Sequence, residues 1–171
     1  MNALTTQDPV NIVQITDTHL YGGNNGTLLK MNTRESYDHV IKLIQTREKA
    51  IDCILATGDI AQDASKEAYQ EFLESISCFD TTPRWIPGNH DNATTMAEVA
   101  SGTSACEKII QINNWMIILL DSSILGQVHG TLASSELEFL KQSLASAEEN
   151  AAVEHCLVCL HHNPVPGNAG W

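Results

Sequence analysis

Hydrophobic residues in this chain follow two alternating rhythms. Short, near-continuous apolar runs occur at about 11–16 (Asn-Ile-Val-Gln-Ile-Thr), 52–56 (Asp-Cys-Ile-Leu-Ala), 83–86, 115–120 (Trp-Met-Ile-Ile-Leu-Leu) and 155–160. Most are dense enough to predict strands covered on both faces. Between the runs, apolar residues take helical spacing. Tyr37, Val40, Ile41 and Ile44 stand at i, i+3, i+4 and i+7, with Asn32 and Glu35 ahead of them in capping-box positions. Tyr69, Phe72, Leu73 and Ile76 repeat the stripe after Ser65. Thr95 with Glu98 predicts the start of a short third helix, and Ser135 with Glu138 that of a fourth carrying Leu137, Leu140 and Leu144. Such alternation predicts an α/β layered fold on a largely parallel sheet. The stretch 107–120 departs from it. Two strand-like runs meet there at Asn113-Asn114, which predicts a hairpin within the sheet.

The 171 residues suffice for one domain with a real core, and no repeat or linker divides them, so residues 1–171 are read as a single domain. The longest apolar run, Trp115 to Leu120, is far too short to span a bilayer. The first eight residues carry neither a basic start nor an apolar stretch, so no signal peptide and a cytoplasmic location are expected. Charge sharpens the picture. Nine Lys and Arg against 21 Asp and Glu leave a formal net charge of −12, which disfavours nucleic acid and anionic membranes as partners. A phosphorylated substrate stays open to an acidic protein if bound cations reverse the local field. Five cysteines, an odd count, suggest reduced thiols. Cys156-Leu-Val-Cys159 lies in an apolar strand that would aim the two thiols at opposite faces, and both are expected to be buried.

The residues that follow each run carry the chemistry. The first run ends in Asp17-Thr-His19, the second in Thr57-Gly58-Asp59, the third in Pro87-Gly88-Asn89-His90-Asp91, the fourth in Asp121 and the fifth in His161-His162. Open α/β sheets bind ligands beyond the carboxyl ends of their strands. Each string alone is an ordinary turn or cap; their recurrence at consecutive strand ends is not. Asp121 is expected to cap its own loop, His129 to lie in a turn, and His39 and His155 to be structural or solvated. Carboxylates mixed with imidazoles suit Mn²⁺, Fe²⁺ or Zn²⁺ better than Ca²⁺. A carboxylate can bridge two ions about 3.5–4 Å apart, a pair able to clamp an in-line displacement at phosphorus. A neutral ligand such as Asn89 leaves its ion more electrophilic, and a histidine one position later can act as a general acid.

These strings resemble the calcineurin-like metallophosphoesterases, whose pattern runs D-x-H, G-D, G-N-H-[DE], a later His, then G-H-x-H. Gln14-Ile-Thr-Asp17-Thr-His19-Leu20, Ala56-Thr-Gly-Asp59-Ile-Ala-Gln-Asp63, Trp85-Ile-Pro-Gly-Asn89-His90-Asp91 and Leu160-His161-His162-Asn-Pro164 look most like bacterial class III 3′,5′-cyclic AMP phosphodiesterases. The resemblance implies an α/β/β/α sandwich and a pair of divalent metal ions, Fe²⁺ or Mn²⁺. It implies that Asp17 and His19 hold one ion, Asn89 and His161 the other, and that Asp59 bridges them. His90 would be the catalytic acid, and His162 would sit behind His161. His19, Asp59, Asn89, His90 and His161 would also face the substrate, cyclic AMP, and the product would be 5′-AMP. The metal ligands do not choose a substrate, so other small phosphodiesters or nucleotides stay open, as does a non-catalytic metal- or nucleotide-binding domain. No Gly-His-x-His occurs in the chain, which ends in Pro164-Val-Pro-Gly-Asn-Ala-Gly-Trp171. The domain is therefore expected to be truncated after its fifth motif strand.

Overall fold

The computed structural model describes residues 9–23 and 25–165. The first eight residues, on which the expectation about a signal peptide rests, lie outside that range, as does the end of the loop from 166 to 171. In chain order the elements are β1 (Ile12–Ile15), β2 (Thr27–Leu28), β3 (Met31–Asn32), α1 (Thr33–Arg47), β4 (Cys53–Ala56) and α2 (Lys66–Ile76). There follow β5 (Arg84–Trp85), α3 (Ala93–Val99), β6 (Ile109–Ile112), β7 (Trp115–Leu119), α4 (Ser134–Glu149) and β8 (His155–Cys159).

Two three-stranded sheets face each other. In the first, β4 lies between β1 and β5 with both pairings parallel, Ile15 opposite Ala56 and Ala56 opposite Trp85. In the second, β7 lies between antiparallel β6 and parallel β8. The β6–β7 turn falls at Asn113, whose φ of 52° is a left-handed value that asparagine tolerates well. This is the hairpin that Asn113-Asn114 predicts.

Side-chain alternation along β4 shows how the layers stack. Cys53 and Leu55 enter an apolar layer shared with Ile86, Ile117 and Leu119, so this layer lies between the sheets. Ile54 and Ala56 point the other way, to Tyr37 and Ile41 of α1, Tyr69 and Phe72 of α2, and Met96 of α3. On the far side, Met116, Ile118 and Leu120 pack against Phe139, Leu140 and Ala147 of α4. The order is helix, sheet, sheet, helix, as the resemblance implies. Near-continuous apolar sequence in β4 and β7 follows from this: each strand feeds two cores at once.

Some local expectations need correction. Asn32 does cap α1, accepting from the Glu35 amide at 2.9 Å, and Ser65 caps α2. The cap of α3, however, is Asn92, whose side chain accepts from the Thr95 amide. Helix α4 starts after Ala133 with no side-chain cap. In its stripe Leu140 is half-buried, whereas Leu137 and Leu144 are exposed, as is Val40 of α1. Cys159 joins the layer between the sheets, but Cys156 is exposed on the opposite face. The two thiols do point apart, and among the described strands β8 pairs with β7 alone, which leaves Cys156 at the open edge of the sheet. The β2–β3 hairpin is an element with no strong sequence signal. No helix among the described residues is long and apolar enough to cross a membrane.

Candidate metal centre

Beyond the strand ends, the loops after β1 and β4 stay paired. The Asp17 amide donates to the Gly58 carbonyl at 3.0 Å, that of His19 to Asp59 at 2.9 Å and that of Leu20 to Ile60 at 2.9 Å. Along this path Asp17, His19 and Asp59 adopt left-handed φ values of 55°, 45° and 51°. Asp and His tolerate that region better than most residues, yet such backbone concentrates at functional sites. Two glycines make the close approach possible. A Cβ on Gly58, whose φ is 101°, would meet the His161 ring at 2.5 Å, and one on Gly88 would collide with the Asp59 carboxylate and amide.

Asp59 is the centre of the arrangement. It is buried, and its Oδ2 lies 3.6 Å from His161 Nε2 and 3.9 Å from His19 Nε2. Its Oδ1 accepts from the His90 amide at 2.9 Å. His161 Nδ1 donates to the Thr57 carbonyl at 2.8 Å, which leaves Nε2 towards Asp59 as a ligand nitrogen. Asp17 is more exposed and lies 3.8 Å from His19 Nε2. Asn89 is half-buried between Gly88 and His90, both of which touch Asp59. The His90 ring stands edge-on to His19, 5.1 Å away, and its Nδ1 accepts from Gln62 Nε2 at 3.0 Å.

Ligand atoms of Asp17, Asp59 and His161 all lie within 4.8 Å of one another, and so do those of His19, Asp59 and His90. The donors fit divalent cations of intermediate softness, and Asp59 is common to both sets. The sets divide differently from the family pattern, pairing Asp17 with His161 and His19 with His90. His19 Nδ1 is in addition buried with no hydrogen-bond partner.

Several supporting contacts escape sequence reasoning. Buried Asp91 accepts from the amides of Ile60, Ala61 and Gly88 and from the Tyr69 hydroxyl, at 2.9–3.1 Å. It thereby ties the loop after β4 to the loop after β5. Burial pushes its carboxyl up, against the pull of those amides. The partners are 3 to 31 residues away, and Tyr69 reads in the sequence only as part of an apolar stripe. His162 sits behind His161 with its ring edge-on at 5.0 Å and its Nδ1 2.8 Å from Ser122 Oγ. Asp121 caps its own loop through the Ser123 amide. His39 bonds the Glu35 carbonyl, His155 packs on Trp115, and His129 is exposed.

Electrostatics tie His161 to Asp59. The Asp59 carboxylate, accepting from the His161 ring, outweighs burial and lifts the imidazole to about 9. Burial pulls the Asp59 carboxyl up, but the His161 and His90 bonds hold it below its ordinary value. A histidine raised on folding stabilises fully below its unfolded pKa of about 6.5 and loses that contribution as pH rises through about 9. The metal-free chain should therefore lose thermal stability between about pH 6.5 and 9, and His161→Gln should lack that decline. Thermal melts in chelator across this range check it; parallel profiles for the two chains would disprove the pairing.

The family model for calcineurin-like phosphoesterases matches residues 10–171. The chain belongs to this family. Calcineurin-like phosphoesterases work with divalent metal ions, in keeping with the donor set around Asp59. The chain is 42% identical over 164 residues to the 3′,5′-cyclic adenosine monophosphate phosphodiesterase CpdA of Escherichia coli K12, covering 95% of the chain and 58% of that protein. It is 36% identical over 170 residues to the protein of the same name from Pseudomonas aeruginosa, covering 99% and 61%. A 3′,5′-cyclic-nucleotide phosphodiesterase of Nostoc matches at 33% over 164 residues, covering 95% and 60%. The chain thus spans about three fifths of the length of these relatives.

Proposed function

We propose that this phosphoesterase hydrolyses 3′,5′-cyclic AMP to 5′-AMP in the cytoplasm, at a centre that takes two Fe²⁺ or Mn²⁺ ions. The observation that carries the reading is Asp59, a buried carboxylate whose Oδ2 faces His19 Nε2 at 3.9 Å and His161 Nε2 at 3.6 Å. The names of the relatives supply the cyclic nucleotide.

When bound, the two cations supply Lewis acidity at the phosphoryl oxygens and lower the pKa of water for in-line attack. The protein's own residues supply the rest. Asp59 would bridge the ions, with Asp17 and His19 on one side and Asn89 and His161 on the other. The Thr57 carbonyl fixes which His161 nitrogen faces inward. As the bond from phosphorus to the 3′-oxygen breaks, His90 hands that oxygen its proton. The Gln62 side-chain amide, 3.0 Å from His90 Nδ1, holds the ring in place for this step.

His90→Ala should lower kcat for cyclic AMP about 10²–10⁴-fold, the usual worth of a general acid. A nitrophenyl ester, whose leaving group needs little protonation, should suffer much less. Equal losses on both esters, or loss of bound metal, would show that His90 is a ligand instead. The activity itself is tested by incubating the Mn²⁺- or Fe²⁺-loaded protein with cyclic AMP, cyclic GMP and bis-p-nitrophenyl phosphate. Formation of 5′-AMP that stops on chelation is expected. Hydrolysis of the aryl ester alone would replace cyclic AMP with another phosphodiester, and no hydrolysis of any would favour a non-catalytic domain.

A further inference from the structure

A cavity of about 350 Å³ opens beside the metal centre, between the loop after β1, the β2–β3 hairpin and the first turns of α1. Asp17 and His19 line it, so it is continuous with the candidate centre. Its volume lies at the small end of the range for ligand sites. The walls are mixed: Leu28, Met31 and Val40 supply apolar surface, while Gln14, Thr33 and Ser36 supply polar atoms.

Three observations indicate that something belongs there. Thr33 is buried, yet its hydroxyl has no hydrogen-bond partner, and His19 Nδ1 is in the same state. Buried polar atoms left unpaired are costly, so a ligand that pairs them gains what the free protein forgoes. Next, the hairpin turn places Leu29 and Lys30 at left-handed φ values of 50° and 69°, where Gly or Asn would be easier. Finally, apolar side chains crowd this rim in water: Met31 is 54% exposed and Val40 43%.

Charge narrows the occupant. The Asp17 carboxylate lines the cavity and the chain carries a net charge of −12, so an anionic group is unwelcome there. An alkyl chain would leave Thr33 and His19 unpaired. A flat, uncharged heteroaromatic ring offers apolar faces to Leu28, Met31 and Val40 and a polar edge to the hydroxyls. We propose that this cavity receives the nucleobase of the substrate while its phosphodiester lies against Asp59. This rests on the cyclic-nucleotide reading above and names the part of the protein that would recognise the base.

Adenosine, which carries the base and no phosphate, probes the cavity apart from the ions. Calorimetric titration of the metal-loaded protein should show adenosine binding that Ser36→Phe weakens at least tenfold by filling the space. Thr33→Val, which keeps shape and removes only the unpaired hydroxyl, should weaken it roughly fivefold with no loss of melting temperature. In both variants the ratio of kcat/KM for cyclic AMP over methyl p-nitrophenyl phosphate, which has no base, should fall by the same factors. Absence of adenosine binding, or an unchanged ratio in Thr33→Val, would overturn the proposal even with both esters hydrolysed. Adenosine binding lost in the variants while neither ester is hydrolysed would keep the base site and remove the hydrolase reading.

Discussion

Asp59→Asn is expected to strip the centre of bound metal and to lower cyclic AMP turnover by about 10³-fold or more. An amide keeps the size of the side chain but cannot balance two dications, and His161 loses the charge that faces its Nε2 at 3.6 Å. Metal-pair stabilisation of a transition state is worth several kcal/mol, and each 1.36 kcal/mol is tenfold in rate. Asp17→Asn should do far less, because the Asp17 side chain is 53% exposed against 6% for Asp59 and water can take its place. Metal content by plasma mass spectrometry, alongside initial rates, separates the two. Similar content and rates in both variants would deny Asp59 its bridging position.

Asp91→Ala should be the most damaging change to the fold around the centre. Three backbone amides, those of Ile60, Ala61 and Gly88, would lose their acceptor in the interior. At about 1–3 kcal/mol for each unmet donor, the loss is at least several kcal/mol, or on the order of 10 °C in melting temperature. Metal affinity should fall with it, since those amides position Asp59 and Asn89. Asp91→Asn retains one acceptor oxygen and should be milder. A melting temperature for Asp91→Ala within a degree or two of the parent would mean that water satisfies the three amides.

Strands were legible wherever apolar density was high, because β4 and β7 each feed two cores and tolerate no polar break. The hairpin at Asn113 was legible because its turn needs a left-handed residue and asparagine supplies one. The β2–β3 hairpin was not, since its turn is Leu29-Lys30 and its strands are two residues long. Caps failed by position: Asn92, three residues before Thr95, already accepts its amide. Asp17, His19, His90 and His161 converge on Asp59 because each follows a strand end, which a linear sequence displays directly. Their supports do not follow strand ends. Gln62 reaches His90 across 28 positions and Tyr69 reaches Asp91 across 22, and only the packed loops reveal such pairs.

The left-handed backbone at Asp17, His19 and Asp59 also bears on how this protein can change under selection. At each of these positions glycine would relax a conformation that costs a side-chain-bearing residue on the order of 1–2 kcal/mol. Selection for durability alone would drift towards glycine at Asp17 and His19, whereas at Asp59 the lost contacts to His161 and to the His90 amide oppose that drift. Proteins commonly trade stability for activity at such points. Attempts to make this chain more heat-resistant should therefore leave the three positions alone, although a stability screen run without metal would rank Asp17 and His19 among the first to replace.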